Sequence, residues 1–471
     1  MEINSVLDFE GVTEIPNGFD FTPFYDDGIH PDFRPLDSET ISHFKNKDYR
    51  LISGNTSIFG ATGTNRYYTH ELSDSFIESK YNDIFLYILK VREMFDFSFN
   101  LYHDYKDKYT LIDKISEQSK NYINNHFNFF IYIEYTWEGV FDVKYFHQLY
   151  FYLRKNNIRP DKVIFCTNTQ NINELHVNFL LDFPKKQTIK FTHFNQCMLG
   201  KVPDTIDHSN GKNTVVTEDF LLKNPVRPKT ALILNRRLRI HRLLLMSLLS
   251  YDNLINQTLS SFDMNMTIDD FENVRAVLLR IRDKNQIELS DIDIENIAIG
   301  FEKLKKEKKR TLDYDDLEEV IGLGYETKEI YEQTYFSVVT ETLFVDKERF
   351  VSEKTFKPIL HFHPFIILGS AYTLKYLQSY GFKTFNKWWD ESYDSMENNT
   401  ERFFAVYKIL IDLLKKSDKE LQLMLSEMTE ILKHNNNLLK SFVGSKVGDI
   451  VSEQIFKIAK NNDITEDIRL F

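Results

Sequence analysis

Cysteine is almost missing from this chain: its 471 residues include two, Cys166 and Cys197. Both lie in apolar, strand-like surroundings, so they read as buried thiols and imply neither a disulfide framework nor a zinc site. Glycine (16) and proline (11) are scarce as well, which sets aside collagen-like and low-complexity chains. The longest apolar runs, LLLMSLL and PFIILG, fall far short of the ~20 residues that cross a bilayer. The opening MEINSVLDFEG lacks the basic start and apolar core of a secretory leader. The expectation is a cytoplasmic protein with no transmembrane segment. Positive charge is also in deficit, with a net charge of −12 and a pI near 5.6. A general nucleic-acid coat, which needs a basic face, is therefore excluded. The basic run Lys303–Arg310 (KLKKEKKR) reads as a solvated helix face or loop.

What is present is a globular composition, 42% hydrophobic and 27% charged, long enough for two to three domains. Forty Phe and 25 Tyr accompany many Asn, Ile and Lys residues, a compositional bias rather than a carbohydrate-stacking surface. Residues 1–75 read as irregular, with Gly60–Arg66 (GATGTNR) as a plain turn. From about residue 110 the pattern alternates. Leu111–Phe127 has helical spacing, Asn128–Tyr135 is a strand, Val143–Asn156 a helix, and Lys162–Asn168 a strand. Asn171–Phe183 is a helix and Thr188–Asn195 a strand. Such alternation predicts a parallel sheet with helices on its faces. Continuously apolar strands agree with burial on both sides.

The polar stretch Pro203–Lys229 interrupts the pattern and reads as a linker. Alternation resumes with strand Ala231–Asn235, helix His241–Ser250, a strand near Leu254–Ser261 and helix Asn273–Lys284. A charged, poorly patterned stretch runs to about 330. It is followed by strand Phe336–Phe344, helix Thr355–Phe362, strand Pro364–Leu368, helix Tyr372–Tyr380 and a short strand Phe382–Phe385. Glu401–Lys460 reads as helical throughout. The expected division is 1–225, 226–440 and a bracing C-terminal helix 441–471. In open α/β sheets ligands bind at the carboxyl ends of strands, and two such edges across a cleft would make a two-substrate site.

Two segments carry candidate chemistry. Leu234–Arg242 (LNRRLRIHR) leaves a strand and enters a helix, with Arg236, Arg237, Arg239 and Arg242 at that junction. Helix N-termini attract anions, and arginine adds bidentate bonds to phosphate oxygens. Cations are unfavourable at that helix end unless an anion is present. The second segment is Phe350–Gly369 (FVSEKTFKPILHFHPFIILG), a turn, a short helix and a buried strand. Ser352 is the expected N-cap, Glu353 an acceptor for hydroxyls, and Lys354 a cation for a diphosphate. The preceding strand, SVVTETLF, brings Thr340 and Glu341 to the same edge.

The order LNRR, VVTETLF, SEKTFKPI, HPFIILG, GFKTF, WWDESYD resembles a group of bacterial and phage glycosyltransferase-like proteins. More distantly it is similar to the donor-binding half of α1,3-fucosyltransferases. The resemblance covers roughly residues 229–405. It implies the two-domain GT-B fold, two Rossmann-like βα domains facing across a cleft, which needs no bound metal or other cofactor. It also implies a nucleotide-diphosphate sugar as co-substrate, Glu353 at the ribose, and Lys354 with Arg236 or Arg237 at the phosphates. Ser352 stands where fucosyltransferases carry Thr, so the donor sugar is not fixed. The acceptor would be a carbohydrate or another hydroxyl, modified nucleic acid included. An inverting transfer needs a general base near that hydroxyl, and Glu138, in the loop Glu134–Gly139 (EYTWEG), is the candidate. Trp137 and Trp388-Trp389-Asp390-Glu391 are read as cleft or packing residues, His193 as a core histidine, and Asp313–Asp316 as an exposed acidic segment. A sugar-nucleotide epimerase of the same shape, and a non-catalytic module, are the competing readings.

Overall fold

The computed structural model describes residues 112–135, 141–195, 215–263, 273–310 and 328–442, less single positions at 116, 142, 238, 285, 308 and 346. It also gives strand segments before residue 91 and a short helical piece at 455–459. The chain divides into two units, Met1–Gln196 with Val443–Ile468 and Cys197–Phe442 with Arg469–Phe471. Both are α/β and Rossmann-like in topology.

The first unit is built on a seven-stranded sheet. In chain order its strands are β1 (Ile3–Val6), β4 (Tyr49–Arg50), β5 (Arg66–Tyr68), β6 (Ile84–Lys90), β7 (Phe129–Tyr135), β8 (Val163–Thr167) and β9 (Lys190–His193). The small pair β2 (Glu14–Ile15) and β3 (Arg34–Pro35) stands apart from it. The spatial order is β4-β5-β1-β6-β7-β8-β9, parallel except for β4 at the edge. Strand β8, VIFCT, is buried at every position, and Cys166 sits there as a buried free thiol. Helices α1 (Glu117–Asn125), α2 (Val143–Lys155) and α3 (Ile172–Asp182) belong to this unit. Helix α2 turns Phe146, Leu149 and Leu153 inward, the i, i+3, i+7 stripe of an amphipathic helix. Phe141, Phe146, Phe165 and Phe191 meet edge to face or tilted, with centroids 4.8–5.8 Å apart. Many of the chain's rings are core.

Two expectations for this unit change. The opening residues are not wholly irregular, since β1 and β5 join the sheet, and β6 precedes the point where alternation becomes visible. Strands of three or four residues with mixed polarity carry no period-2 signal; their pairing partners define them.

The second unit holds a five-stranded sheet of β10 (Lys229–Arg237), β11 (Thr258–Asp263), β12 (Lys309–Arg310), β13 (Thr334–Thr340) and β14 (Phe365–Leu368). Its order is β12-β11-β10-β13-β14, parallel apart from β12. Helix α4 (Glu218–Lys223) precedes β10, and α5 (Ile240–Tyr251) follows it. All ten residues His241–Ser250 are buried, which explains LLLMSLL, apolar but for Ser247. Helix α6 (Val274–Asp283) leads to α7 (Asp291–Glu307).

Helix α7 corrects the reading of that stretch as poorly patterned. Ile294, Ile297, Ala298, Phe301 and Leu304 are buried, a helical stripe obscured by the charges between them. The helix crosses α5 so closely that a Cβ on Gly300 would lie 1.8 Å from the Ser247 carbonyl oxygen. Lys303, from the basic run, donates to the Ser250 and Tyr251 carbonyls at the end of α5.

Helices α8 (Lys328–Glu332), α9 (Glu353–Leu360), α10 (Thr373–Ser379), α11 (Asn399–Leu414) and α12 (Asp418–Ser441) complete the unit. Phe382–Phe385 is not a strand but an irregular segment whose Phe382 and Phe385 are buried. The tail is not helical throughout. It breaks after Leu414, and Ser417 restarts the chain with a capping box closed by Glu420. Most of 441–471 lies outside the described residues. Among the described residues no helix is long and apolar enough to cross a membrane.

Buried histidines tie the core to acidity. His361 stacks on Tyr331 with centroids 3.9 Å apart, and burial holds its pKa down to about 3. His176 meets the Tyr150 hydroxyl at 2.9 Å, and burial lowers its pKa to about 4. His363 bonds Ser337 Oγ and the Thr334 carbonyl, and burial holds it well below the usual range. These rings are neutral when folded, whereas in the unfolded chain they take up a proton below about pH 6.5. Their contribution is complete above that pH and is lost as pH falls towards 3–4. The thermal midpoint should therefore drop steadily from pH 6.5 to 4, and less steeply in His361→Asn. Identical slopes in wild type and variant would contradict this.

Candidate functional site

Strand order locates the site. From β10 the chain passes through α5 to β11 on one side, and later places β13, followed by α9 and β14, on the other. Parallel crossovers are right-handed, so the two helices leave toward opposite faces. The order thus reverses between β10 and β13, and in open α/β sheets the carboxyl ends at such a reversal are where ligands bind.

Both candidate segments end at that reversal. Arg236 and Arg237 are the last residues of β10, where the register with β11 shifts between Asn235 and Arg237. Arg239 is the N-cap of α5 and makes no side-chain cap bond. Arg242, one turn on, is buried, and its Nη2 donates to the Thr340 carbonyl at 2.8 Å and the Glu341 carbonyl at 3.3 Å. Burial, with Arg239 next, lowers its pKa to about 10 against the opposing pull of Glu341 and Glu353; it remains a cation at neutral pH. His241 donates from Nε2 to the Glu341 carbonyl at 2.9 Å and stacks on Phe344. Burial, with the guanidinium of Arg242 next, keeps it far below the usual histidine range.

Glu341 has no exposed surface. Its carboxylate accepts from Ser352 Oγ at 2.6 Å, Thr355 Oγ1 at 2.6 Å, Ser352 N at 3.2 Å and Thr342 N at 3.2 Å. Ser352 in turn caps α9 by accepting from Lys354 N at 3.3 Å. Thr340 is buried and donates from Oγ1 to Asn235 Oδ1. Thr340, Glu341, Ser352 and Arg242 thus form the packed wall of the edge. Glu353 and Lys354 stand above it, paired at 2.7 Å with side chains 25% and 30% exposed.

Sequence reading passed over three residues here. Asn235 is fully buried near the end of β10, and its Nδ2 has no hydrogen-bond partner among the described residues; a polar residue ending the apolar run Ala231–Leu234 was the available signal. Gly369 follows β14, and a Cβ there would come within 3.1 Å of Glu341 Cβ. Arg402, from α11, is buried and donates to the Gly369 carbonyl at 3.0 Å, the Phe344 carbonyl at 2.8 Å and the Met396 carbonyl at 2.5 Å. It joins the loops that leave β13 and β14, and nothing in the sequence around it marks that role.

Elsewhere, Glu138 and Trp137 lie outside the described residues, as does Asp313–Asp316. Burial lowers His193 to about 4. Trp389 is buried against Phe385, whereas Trp388 donates to Glu427 at 2.9 Å. Glu391 accepts from Phe385 N at 2.6 Å, and Asp390 accepts from Ser392 N.

A scan of protein-family models and a search of curated proteins each gave no match. Among solved structures, the chain is similar to an α,α-trehalose-phosphate synthase (UDP-forming) from Burkholderia vietnamiensis, with 9% identity and a TM-score of 0.34 over 80% of this chain and 72% of that one. It is similar to the trehalose-6-phosphate synthase OtsA, with 13% identity and a TM-score of 0.35 over 79% and 72%. It is also similar to the N-terminal domain of trehalose-6-phosphate phosphatase from Candida albicans, with 14% identity and a TM-score of 0.35 over 80% and 73%. At these values the likeness is loose.

Removing the buried carboxylate strands three side-chain and backbone donors around Ser352 and Thr355. Glu341→Ala is expected to destabilise the second unit by about 3–5 kcal/mol, since bonds to a charged group contribute ~1.5–3 kcal/mol each. Gly369→Ala should destabilise as well, by pressing on the same side chain. Chemical denaturation of both variants measures this, and wild-type midpoints would refute the clamp.

Proposed function

We propose that the chain is a glycosyltransferase that binds a nucleotide-diphosphate sugar at the carboxyl edge of its second sheet. The observation that carries this reading is that β10 ends at Arg236 and Arg237, and that the helices starting at Arg239 and at Glu353-Lys354 follow the two strands between which strand order reverses. These segments carry five cations (those three arginines, Arg242 and Lys354) against two carboxylates (Glu341 and Glu353), in a chain whose net charge is −12. That excess complements a diphosphate.

The chemistry follows from the charge. Transfer breaks the bond between the sugar's anomeric carbon and the diphosphate oxygen, and negative charge grows on the departing phosphate. Guanidinium groups and the first N–H groups of α5 stabilise that charge where it develops. In this reading the fixed cations meet the phosphates without a bound metal. Lys354 leaves its ion pair to bond the phosphates, and Glu353 then accepts from the ribose hydroxyls. Ser352 and Glu341 hold the first turn of α9 beneath them. Glu138 is the proposed base toward an acceptor hydroxyl on a carbohydrate or another molecule. The resemblance of SEKTFKPI and its neighbours to glycosyltransferase-like proteins supports the same reading.

Calorimetric titration with UDP and GDP tests it. Arg236→Ala and Lys354→Ala should each weaken binding tenfold or more, since one charge-assisted bond contributes ~1.5–3 kcal/mol and about 1.4 kcal/mol is tenfold. Glu353→Ala should weaken it with less dependence on salt, because it bonds hydroxyls. Unchanged affinity in all three variants would remove the donor site and the reading with it.

A further inference from the structure

The first unit carries a cavity of ≈ 480 Å³ that the donor-site reading does not use. It lies at the opposite edge of its own sheet, the amino-terminal one. Arg159 and Pro160 lead into β8, Lys185 and Lys186 lead into β9, and the end of α2 supplies Tyr150, Phe151 and Arg154. Its lining contains no carboxylate.

Three of the four lining cations are not spent on the fold. Arg159 is satisfied by Asp161, at 3.1 and 2.6 Å. The side chains of Arg154 and Lys186 make no ion pair or hydrogen bond with any described residue and are exposed. Lys185 faces only rings, 5.4 Å from the Tyr150 centroid and 5.9 Å from that of Phe179. The dipole at the end of α2 explains a cation at Arg154. It does not explain Lys185 and Lys186, which lie in the connection before β9. Three unneutralised cations around one concavity repel each other unless an anion joins them, and this chain is acidic overall. Phe151, 53% exposed beside them, adds an apolar surface that the core does not cover.

We propose that this cavity binds a small organophosphate, with the phosphate held by Arg154, Lys185 and Lys186 and a ring or apolar part laid against Phe151. The volume suits one ligand of sugar-phosphate size. A nucleic-acid strand would need a basic track running beyond the cavity.

Phenyl phosphate carries both features and serves as the probe, with inorganic phosphate and a single-stranded oligonucleotide as the other arms, all titrated into the full chain. Phenyl phosphate should bind saturably, and tenfold or more weaker in the Arg154→Ala/Lys186→Ala double variant, whose exposed positions leave folding intact. Phe151→Ala should weaken phenyl phosphate and spare inorganic phosphate. Lys354→Ala should leave both unchanged, which separates this site from the proposed donor site. The proposal is overturned by equal binding in the double variant, by loss of binding in Lys354→Ala, or by tighter binding of the oligonucleotide than of phenyl phosphate.

Discussion

The carboxyl edge of the second sheet rests on one buried charge. A carboxylate with no exposed surface is strongly disfavoured unless its lone pairs are filled. At Glu341 they are filled by donors from Thr342, Ser352 and Thr355. These bonds span the loop from the end of β13 to the start of α9. The backbone carbonyl of the same residue is held by His241 and Arg242, from the first turns of α5. One residue therefore fixes the starts of both helices that flank the reversal. Gly369 allows β14 to approach it, because any side chain there would meet Glu341. The positions of Arg239, Glu353 and Lys354 follow from this joint.

Buried arginines repeat the theme with neutral partners. Arg402 spends its donors on carbonyls of the Phe344, Gly369 and Met396 loops and lies over the Phe344 ring at 4.7 Å. Arg227, near the amino end of the sheet, donates to the Tyr331 and Thr334 carbonyls and lies over Phe220 and Tyr335. Burial brings each down to about 10, which still leaves a full charge at neutral pH. Guanidinium suits this use because its donors form a rigid fork and its charge is weakly hydrated. Carbonyl partners satisfy the hydrogen bonds without cancelling the charge. Arg402 thus adds positive potential under the loops of the carboxyl edge, in the same sense as the arginines that end β10.

The layout of both sheets was legible at most continuously apolar strands, although β6, IFLYILK, has that character and was passed over. NFFIYIEY, KVIFCTN and PFIIL announce β7, β8 and β14 because burial on both faces leaves no polar positions. It failed where charge density masked a stripe, as in α7, and where apolar residues are buried without a ladder, as at Phe382–Phe385. Short strands such as β1 are defined by partners distant in sequence and have no local signature. At the site, the helix start at Ser352 was readable from its N-cap and acid–base pair. The link between Ser352 and Glu341 was not, because nothing local indicates that two residues eleven positions apart share a hydrogen bond. Arg402 was harder still, since its partners are backbone atoms and carry no residue code.

The contrast between the two acids then orders the edge. Glu341 has every oxygen engaged in the interior, so accepting a ligand hydroxyl would mean releasing a bond that holds a helix start. Glu353 pairs with Lys354 at 2.7 Å, and both side chains are partly exposed. Pairs in that setting contribute about 0–1 kcal/mol, so water, phosphate or hydroxyl can replace them at little loss. The same logic separates the arginines. Arg242 is bound to carbonyls in the wall, while Arg239 at the mouth of α5 is half-buried with no cap bond of its own. A strongly held layer thus lies under a weakly held one, along the edge where strand order reverses. Charge complementarity at low reorganisation cost requires that order of layers, because the groups meeting a ligand can exchange partners only if those beneath them stay fixed.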